Sequence, residues 1–309
     1  MQYKKRNRKK TYPVNTLLSV DDMAKMSPLF RGRRGRCLAR GLMNILGVSR
    51  LNRLYDNVSS YRNAECASKV IDKMRCNYFI GNADRLNAIP VGPFITVSNH
   101  PYGGLDGVIL AELIGGRRPD YKILVNKILA RAKSLDDVFI TVTPTTTKKR
   151  APDAITVKGI KAILNHIEEG HPLGFFPSGA VSDFKIESCT LQDREWQPSM
   201  LRLIKRARFP VIPIYFPDGN SPFYYFLGLI NWKIRFLRLP LEFFNKYKGK
   251  HRVIIGETLT VEEQDKHEDI LDYGKWLRSR VYEILEPEQY MERNNYFKPD
   301  IDHKYQIPG

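Results

Sequence analysis

Phe94-Ile-Thr-Val-Ser-Asn-His-Pro-Tyr-Gly-Gly-Leu-Asp-Gly-Val-Ile-Leu110 decides how the rest of the chain is read. Phe94 to Val97 is short, apolar and β-branched, and it follows Pro93, which predicts a buried strand. Pro101, Gly103 and Gly104 then break the pattern. From Leu105 the apolar residues Val108, Ile109, Leu110, Leu113 and Ile114 recur at helical spacing. Asn99 to Asp106 is therefore a strand-to-helix loop, where an α/β sheet places its chemistry.

The loop holds His100 and Asp106. A neutral imidazole can take the proton of a hydroxyl as that oxygen attacks a carbonyl carbon. A carboxylate on the other ring nitrogen fixes the tautomer and stabilises the imidazolium. Gly103 and Gly104 let the chain turn back and bring the two side chains together. The same residues also fit a tight turn in which Asp106 only caps the helix, and the loop alone leaves both readings open.

Working outward, strands are expected at Asn77–Ile80, Tyr121–Val125, Val138–Val142, Leu173–Phe176, Pro210–Tyr215 and His251–Ile255. The two prolines of Pro210–Tyr215 suit an edge or a strand end. Helices are expected at Glu65–Met74, Asn126–Leu135, Ala154–Glu168, Gln197–Arg208 and Ile270–Leu285, with Thr260 and Glu263 forming a capping box. Strands alternating with helices from 77 to 256 predict an α/β fold with a mixed, mostly parallel sheet flanked by helices. A basic tail (1–18), an N-terminal helical segment (19–76), the α/β domain (77–286) and a loosely ordered tail (287–309) complete the expected organisation.

The chain carries 50 basic and 33 acidic residues, a formal net charge of +17. That favours a polyanionic partner: an anionic lipid surface, nucleic acid or an acidic protein. No nucleic-acid motif is recognisable. Cys37, Cys66, Cys76 and Cys189 have neither paired nor metal-ligand spacing, so neither disulfides nor a metal site is expected. No apolar run reaches the length of a spanning helix.

Two segments suit a bilayer surface. Arg31, Arg33, Arg34, Arg36 and Arg40 interleave with Leu38, Leu42, Ile45 and Leu46, a basic amphipathic helix that either meets lipid or packs its apolar side on the main domain. Phe223 to Phe244 mixes aromatics with Lys233, Arg235, Arg238 and Lys246, which suits headgroups or a buried helix pair with snorkelling cations.

A second loop follows Leu173–Phe176: Pro177-Ser-Gly-Ala-Val-Ser182, whose small residues allow close backbone approach to a ligand. Asn99-His100 with Asp106, Phe176-Pro-Ser-Gly179 and Val211-Ile-Pro-Ile214 together resemble the successive blocks of the PlsC-like glycerolipid acyltransferases. The usual first block is NHxxxxD; here five residues separate His100 from Asp106. The usual third block is FPEG; here Ser178 stands where most members have glutamate. Both departures, with Asp218-Gly-Asn-Ser221, resemble a bacterial subgroup that O-acylates lyso-ornithine or lyso-glycine lipids.

The resemblance implies a PlsC-like fold and a fatty-acyl donor, acyl-ACP or acyl-CoA, with no cofactor and no metal. It implies a lyso-lipid acceptor, an anionic membrane surface as partner, and a peripheral position on the cytoplasmic face of the inner membrane. Carried onto this chain it makes His100 and Asp106 catalytic, and Asn99, Gly103, Gly104, Pro177, Ser178, Gly179 and Ser182 substrate-binding. The Gly179 region would supply N–H groups to an oxyanion or the acceptor. Lys148, Lys149 and Arg150 would meet the acidic donor or remain a solvated loop. The other readings are a lysophosphatidate acceptor, a thioester hydrolase, a non-catalytic lipid binder and a nucleic-acid binder.

Overall fold

The computed structural model describes residues 15–126, 131–142, 154–246 and 249–297. Lys148, Lys149, Arg150 and the basic tail up to residue 14 lie outside them. The N-terminal segment is helical, as its pattern predicts: α1 (Val20–Met26), α2 (Gly32–Ile45), α3 (Val48–Val58) and α4 (Asn63–Met74). Ser19 and Asp22 form a capping box at the start of α1. Gly35, Ala39 and Met43 recur every four residues on the buried side of α2, which leaves its arginines in solvent.

The α/β core follows: β1 (Asn77–Gly81), β2 (Ile95–Ser98), α5 (Leu105–Leu113), β3 (Lys122–Asn126), β4 (Phe139–Val142), α6 (Ala154–Glu168) and β5 (Leu173–Phe175). A hairpin, β6 (Asp183–Lys185) with β7 (Thr190–Gln192), leads to α7 (Pro198–Ala207) and β8 (Val211–Tyr215). The short helices α8 (Pro222–Ile230), α9 (Trp232–Leu237) and α10 (Leu239–Phe244) come next, then β9 (Lys250–Ile255), α11 (Val261–Asp265), α12 (Ile270–Tyr282), β10 (Tyr290–Glu292) and α13 (Arg293–Tyr296).

The main sheet has the order β10-β1-β9-β8-β2-β5-β3-β4. Only the β8–β9 and β1–β10 pairings are antiparallel. Alternation along the strands builds a core on each face. Ile212 and Ile214 of β8 join Leu105, Ile109 and Leu113 of α5 on one side. Ile95 and Val97 of β2 join Leu201 of α7 and Leu277 of α12 on the other.

Three expectations are corrected. The strand with two prolines is central, not an edge. Pro210 precedes the strand, and Pro213 turns its ring nitrogen toward β9, where only Ile214 and Tyr215 are paired. Its carbonyl still accepts from Gly256 N–H at 2.8 Å. No helix spans the described part of Asn126–Leu135: Asn126 ends β3 and Lys133–Leu135 is a single 3-10 turn. The described part of the C-terminal tail, residues 287–297, was expected to be loose and instead adds β10 and α13 to the fold. Arg293 explains this, donating to Glu112 of α5 and Asp72 of α4.

Candidate active site

β2 lies between β5 and β8, and all three run parallel. Their carboxyl ends therefore open on one edge, and the loops after them meet there. Asn99 stitches two of the loops together. Its Nδ2 donates to Phe216 O at 2.9 Å and its Oδ1 accepts Phe216 N–H at 2.8 Å. Ser182 N–H donates to His100 O at 3.0 Å, which joins the third loop. Asn220 Nδ2 donates to the carbonyls of Pro101 and Tyr102.

Asp106 opens α5 and is fully buried. Its Oδ2 accepts the amides of Tyr102 (3.1 Å) and Gly103 (3.2 Å). Its Oδ1 accepts those of Gly104 (2.9 Å) and Gly107 (3.0 Å). Gly103 reaches this turn at φ +75°, and a Cβ there would lie 2.6 Å from Val181. The two readings of the loop thus combine: the carboxylate shapes the turn, and Oδ2 also lies 2.8 Å from His100 Nδ1. The ring N–H is tilted off the line between these two atoms. Burial opposes charge on both groups, but their mutual attraction and the amide donors outweigh it. The Asp106 carboxyl is held below its usual range, and the His100 imidazole is raised above its own.

The Phe176 ring packs 4.3 Å from the imidazole, centroid to centroid. The His100 side chain is 20 % exposed, and its Nε2 has no hydrogen-bond partner among the described residues. An imidazole oriented at Nδ1 and open at Nε2 can accept a proton from an incoming hydroxyl.

The other sequence-derived residues cluster here, with their polar groups already engaged. Ser178 Oγ donates to Ala180 O at 2.8 Å, and Ser182 Oγ to Asp193 Oδ1 at 2.6 Å. Gly179 N–H donates to Phe176 O at 2.9 Å, so this amide is turned into the loop and not toward an oxyanion. Pro177 O accepts Gln197 N–H, and Ser178 O accepts Gln197 Nε2, which ties the loop to the start of α7.

Four buried residues at this edge were not among the expected site residues. Asp193 accepts His100 N–H at 3.1 Å. Arg235 of α9, 5 % exposed, donates to the carbonyls of Ser182 and Val181 and pairs with Asp183 at 2.7 Å. Glu242 of α10 accepts Ser221 N–H and Oγ–H and pairs with Arg238. Lys246 donates to Gly219 O, and burial, against the pull of Glu242 and Asp106, brings it down to about 8. The pattern of Phe223–Phe244 did mark cations among aromatics, but not which were buried. Among the described residues, no group of three His, Cys, Asp or Glu is placed to hold a metal ion.

The fold and this edge define an α/β protein with an oriented histidine–carboxylate pair beside a Pro-Ser-Gly loop. The chain belongs to the acyltransferase family, whose model matches residues 64–287, and it is an acyltransferase. It is 27 % identical over 201 residues to the lyso-glycine lipid O-acyltransferase of Bacteroides thetaiotaomicron, covering 62 % of this chain and 70 % of the relative. It is 26 % identical over 195 residues to the protein of the same name from Phocaeicola vulgatus, covering 61 % and 67 %. Among solved structures, the 1-acyl-sn-glycerophosphate acyltransferase PlsC of Thermotoga maritima aligns over 76 % of this chain and 80 % of its own, with a TM-score of 0.44 and 14 % identity.

Proposed function

We propose that this acyltransferase moves a fatty acyl group from acyl-ACP or acyl-CoA to the hydroxyl of a lyso-aminolipid, foremost a lyso-glycine lipid. The observation that carries the reading is the 2.8 Å His100–Asp106 contact with Nε2 left open, in a chain whose relatives are named for that reaction. His100 Nε2 takes the proton of the acceptor hydroxyl as its oxygen bonds to the thioester carbonyl carbon. The tetrahedral intermediate collapses, the C–S bond breaks, and the imidazolium gives its proton to the departing sulfur, which leaves as the thiol and restores the neutral base. Asp106 keeps the tautomer and balances the transient charge. General-base help of this kind contributes on the order of 10²–10⁴ in rate.

The protein is proposed to act while lying on an anionic membrane surface on the cytoplasmic side. Phe223, Phe226, Leu229 and Ile230 of α8 and Trp232, Ile234, Phe236 and Leu237 of α9 are about half exposed, an apolar face whose exposure is unusual for a water-soluble surface. Arg50 of α3 stacks on Phe244 of α10 at 4.1 Å, which sets a basic N-terminal helix against the helix that follows this face. Among the described residues no helix is long and apolar enough to cross a membrane. The Ser178 position, where a glutamate is usual, weighs against a phosphate-bearing acceptor.

Acceptor competition tests the reading. Purified protein is given labelled acyl-ACP or acyl-CoA with lyso-glycine lipid, lyso-ornithine lipid and lysophosphatidate. Preferential product from a lyso-aminolipid supports it. Transfer to lysophosphatidate alone overturns the acceptor, and release of free fatty acid without an acceptor indicates a hydrolase.

A further inference from the structure

A second buried carboxylate stands behind His100. Asp193, in the segment between β7 and α7, is 1 % exposed. Its Oδ1 accepts two bonds, from His100 N–H at 3.1 Å and Ser182 Oγ–H at 2.6 Å. Its Oδ2 accepts Trp196 Nε1–H at 3.2 Å. Its own main chain is pinned by α12: Asp193 N–H donates to Tyr282 Oη at 2.7 Å, and Arg278 donates to Asp193 O at 2.9 Å. One carboxylate thus joins the histidine loop, the Pro-Ser-Gly loop and α12.

We propose that Asp193 is a positioning residue for the acyl transfer, holding the His100 main chain and supplying a second negative charge to the imidazolium. The proposal rests on the reading of His100 as the base. Three donors converge on both oxygens of a carboxylate with little exposure: an asparagine would turn its own NH2 against the Trp196 indole N–H, so the site is built for the acceptor-only, charged form. His100 therefore sits between Asp106 at its ring and Asp193 at its backbone. The other groups packed around it are the Phe176 ring, Ser182 and, one shell out, Arg235 on the Ser182 carbonyl. Lys246 acts on the Asp106 side. Asp193 contributes to raising the His100 pKa, while burial raises that of Asp193 itself.

The test is the pH profile of kcat/KM. Asp193→Asn keeps an oxygen for His100 N–H and Ser182 Oγ–H and removes the charge. Its acid limb should move to lower pH by roughly half a unit or more, with a reduced plateau. Trp196→Phe removes only the indole donor that the asparagine amide would oppose, and should leave the limb in place. An unmoved limb in a folded Asp193→Asn variant overturns the proposal. If that variant does not fold, the double variant Asp193→Asn, Trp196→Phe, in which the asparagine NH2 no longer meets the indole N–H, is profiled in its place. An unmoved acid limb there overturns the proposal. The base reading fails separately, if His100→Ala keeps its activity.

Discussion

His100 Nδ1 lies 2.8 Å from Asp106 Oδ2, and that same oxygen accepts the amides of Tyr102 and Gly103. The carboxylate that orients the histidine therefore also sets the turn that presents it. Asp106→Asn keeps an acceptor at one oxygen but offers an N–H at the other, against the amide donors or against the ring. Transfer should fall by on the order of 10²–10⁴, with KM for the acceptor little changed. Steady-state kinetics on a variant with native circular dichroism checks this; near-normal kcat would remove Asp106 from the mechanism.

The charge arrangement predicts the pH dependence. In the proposed mechanism His100 must be neutral to work, and attraction to Asp106 raises its pKa despite burial. Activity should therefore be full above that raised value and decline as pH falls through it, with the midpoint above the ordinary histidine value of about 6.5. A kcat/KM profile with its acid limb below that value contradicts the pairing.

Gly103 has no room for a side chain. It sits at φ +75°, and a Cβ would meet Val181 at 2.6 Å and Leu239 at 3.0 Å. Gly103→Ala should lower stability by about 1–3 kcal/mol and reduce activity more than stability, because the strain falls on the His100 turn. Denaturant melts and kinetics on the same preparation separate the two effects.

The C-terminal segment should be structural. Arg293 Nε donates to both oxygens of Glu112, at 3.0 and 2.9 Å, and Tyr78 Oη donates to Glu112 Oε2 at 2.8 Å. Arg293→Ala leaves Glu112 buried without its cation and should cost about 3–5 kcal/mol. A paired Arg293→Met, Glu112→Leu variant should regain much of that loss. Urea titration measures both.

The apolar helices predict the opposite pattern. Phe226 and Trp232 are 55 % and 56 % exposed, so Phe226→Ser and Trp232→Ser should change stability by less than about 0.5 kcal/mol. Sedimentation with anionic vesicles should nevertheless drop sharply. Retained vesicle binding would place the lipid contact elsewhere.

The strand-to-helix loop was legible because its signals are local: a β-branched run, then Pro and Gly, then helical spacing. The mostly parallel sheet followed from the alternation of strands and helices. β8 was misplaced because a proline rule treats every strand position alike, while Pro213 stands just before the short β9 ladder of Ile214–Ile255 and Tyr215–Ile254 and needs no N–H for it. Asp193 and Arg293 were invisible because their partners are 93 and 181 residues away, and a carboxylate or arginine reads as surface until the fold buries it. The serines of the second loop were seen as ligand groups, since sequence does not reveal that their hydroxyls already have partners.

The most direct measurement compares wild type and His100→Ala in transfer of a labelled acyl chain to lyso-glycine lipid on vesicles. The account predicts acylated product from the wild type and a loss of on the order of 10³ or more in the variant, with fold and vesicle binding unchanged. Product formation by a folded His100→Ala protein at a rate near that of the wild type would contradict it.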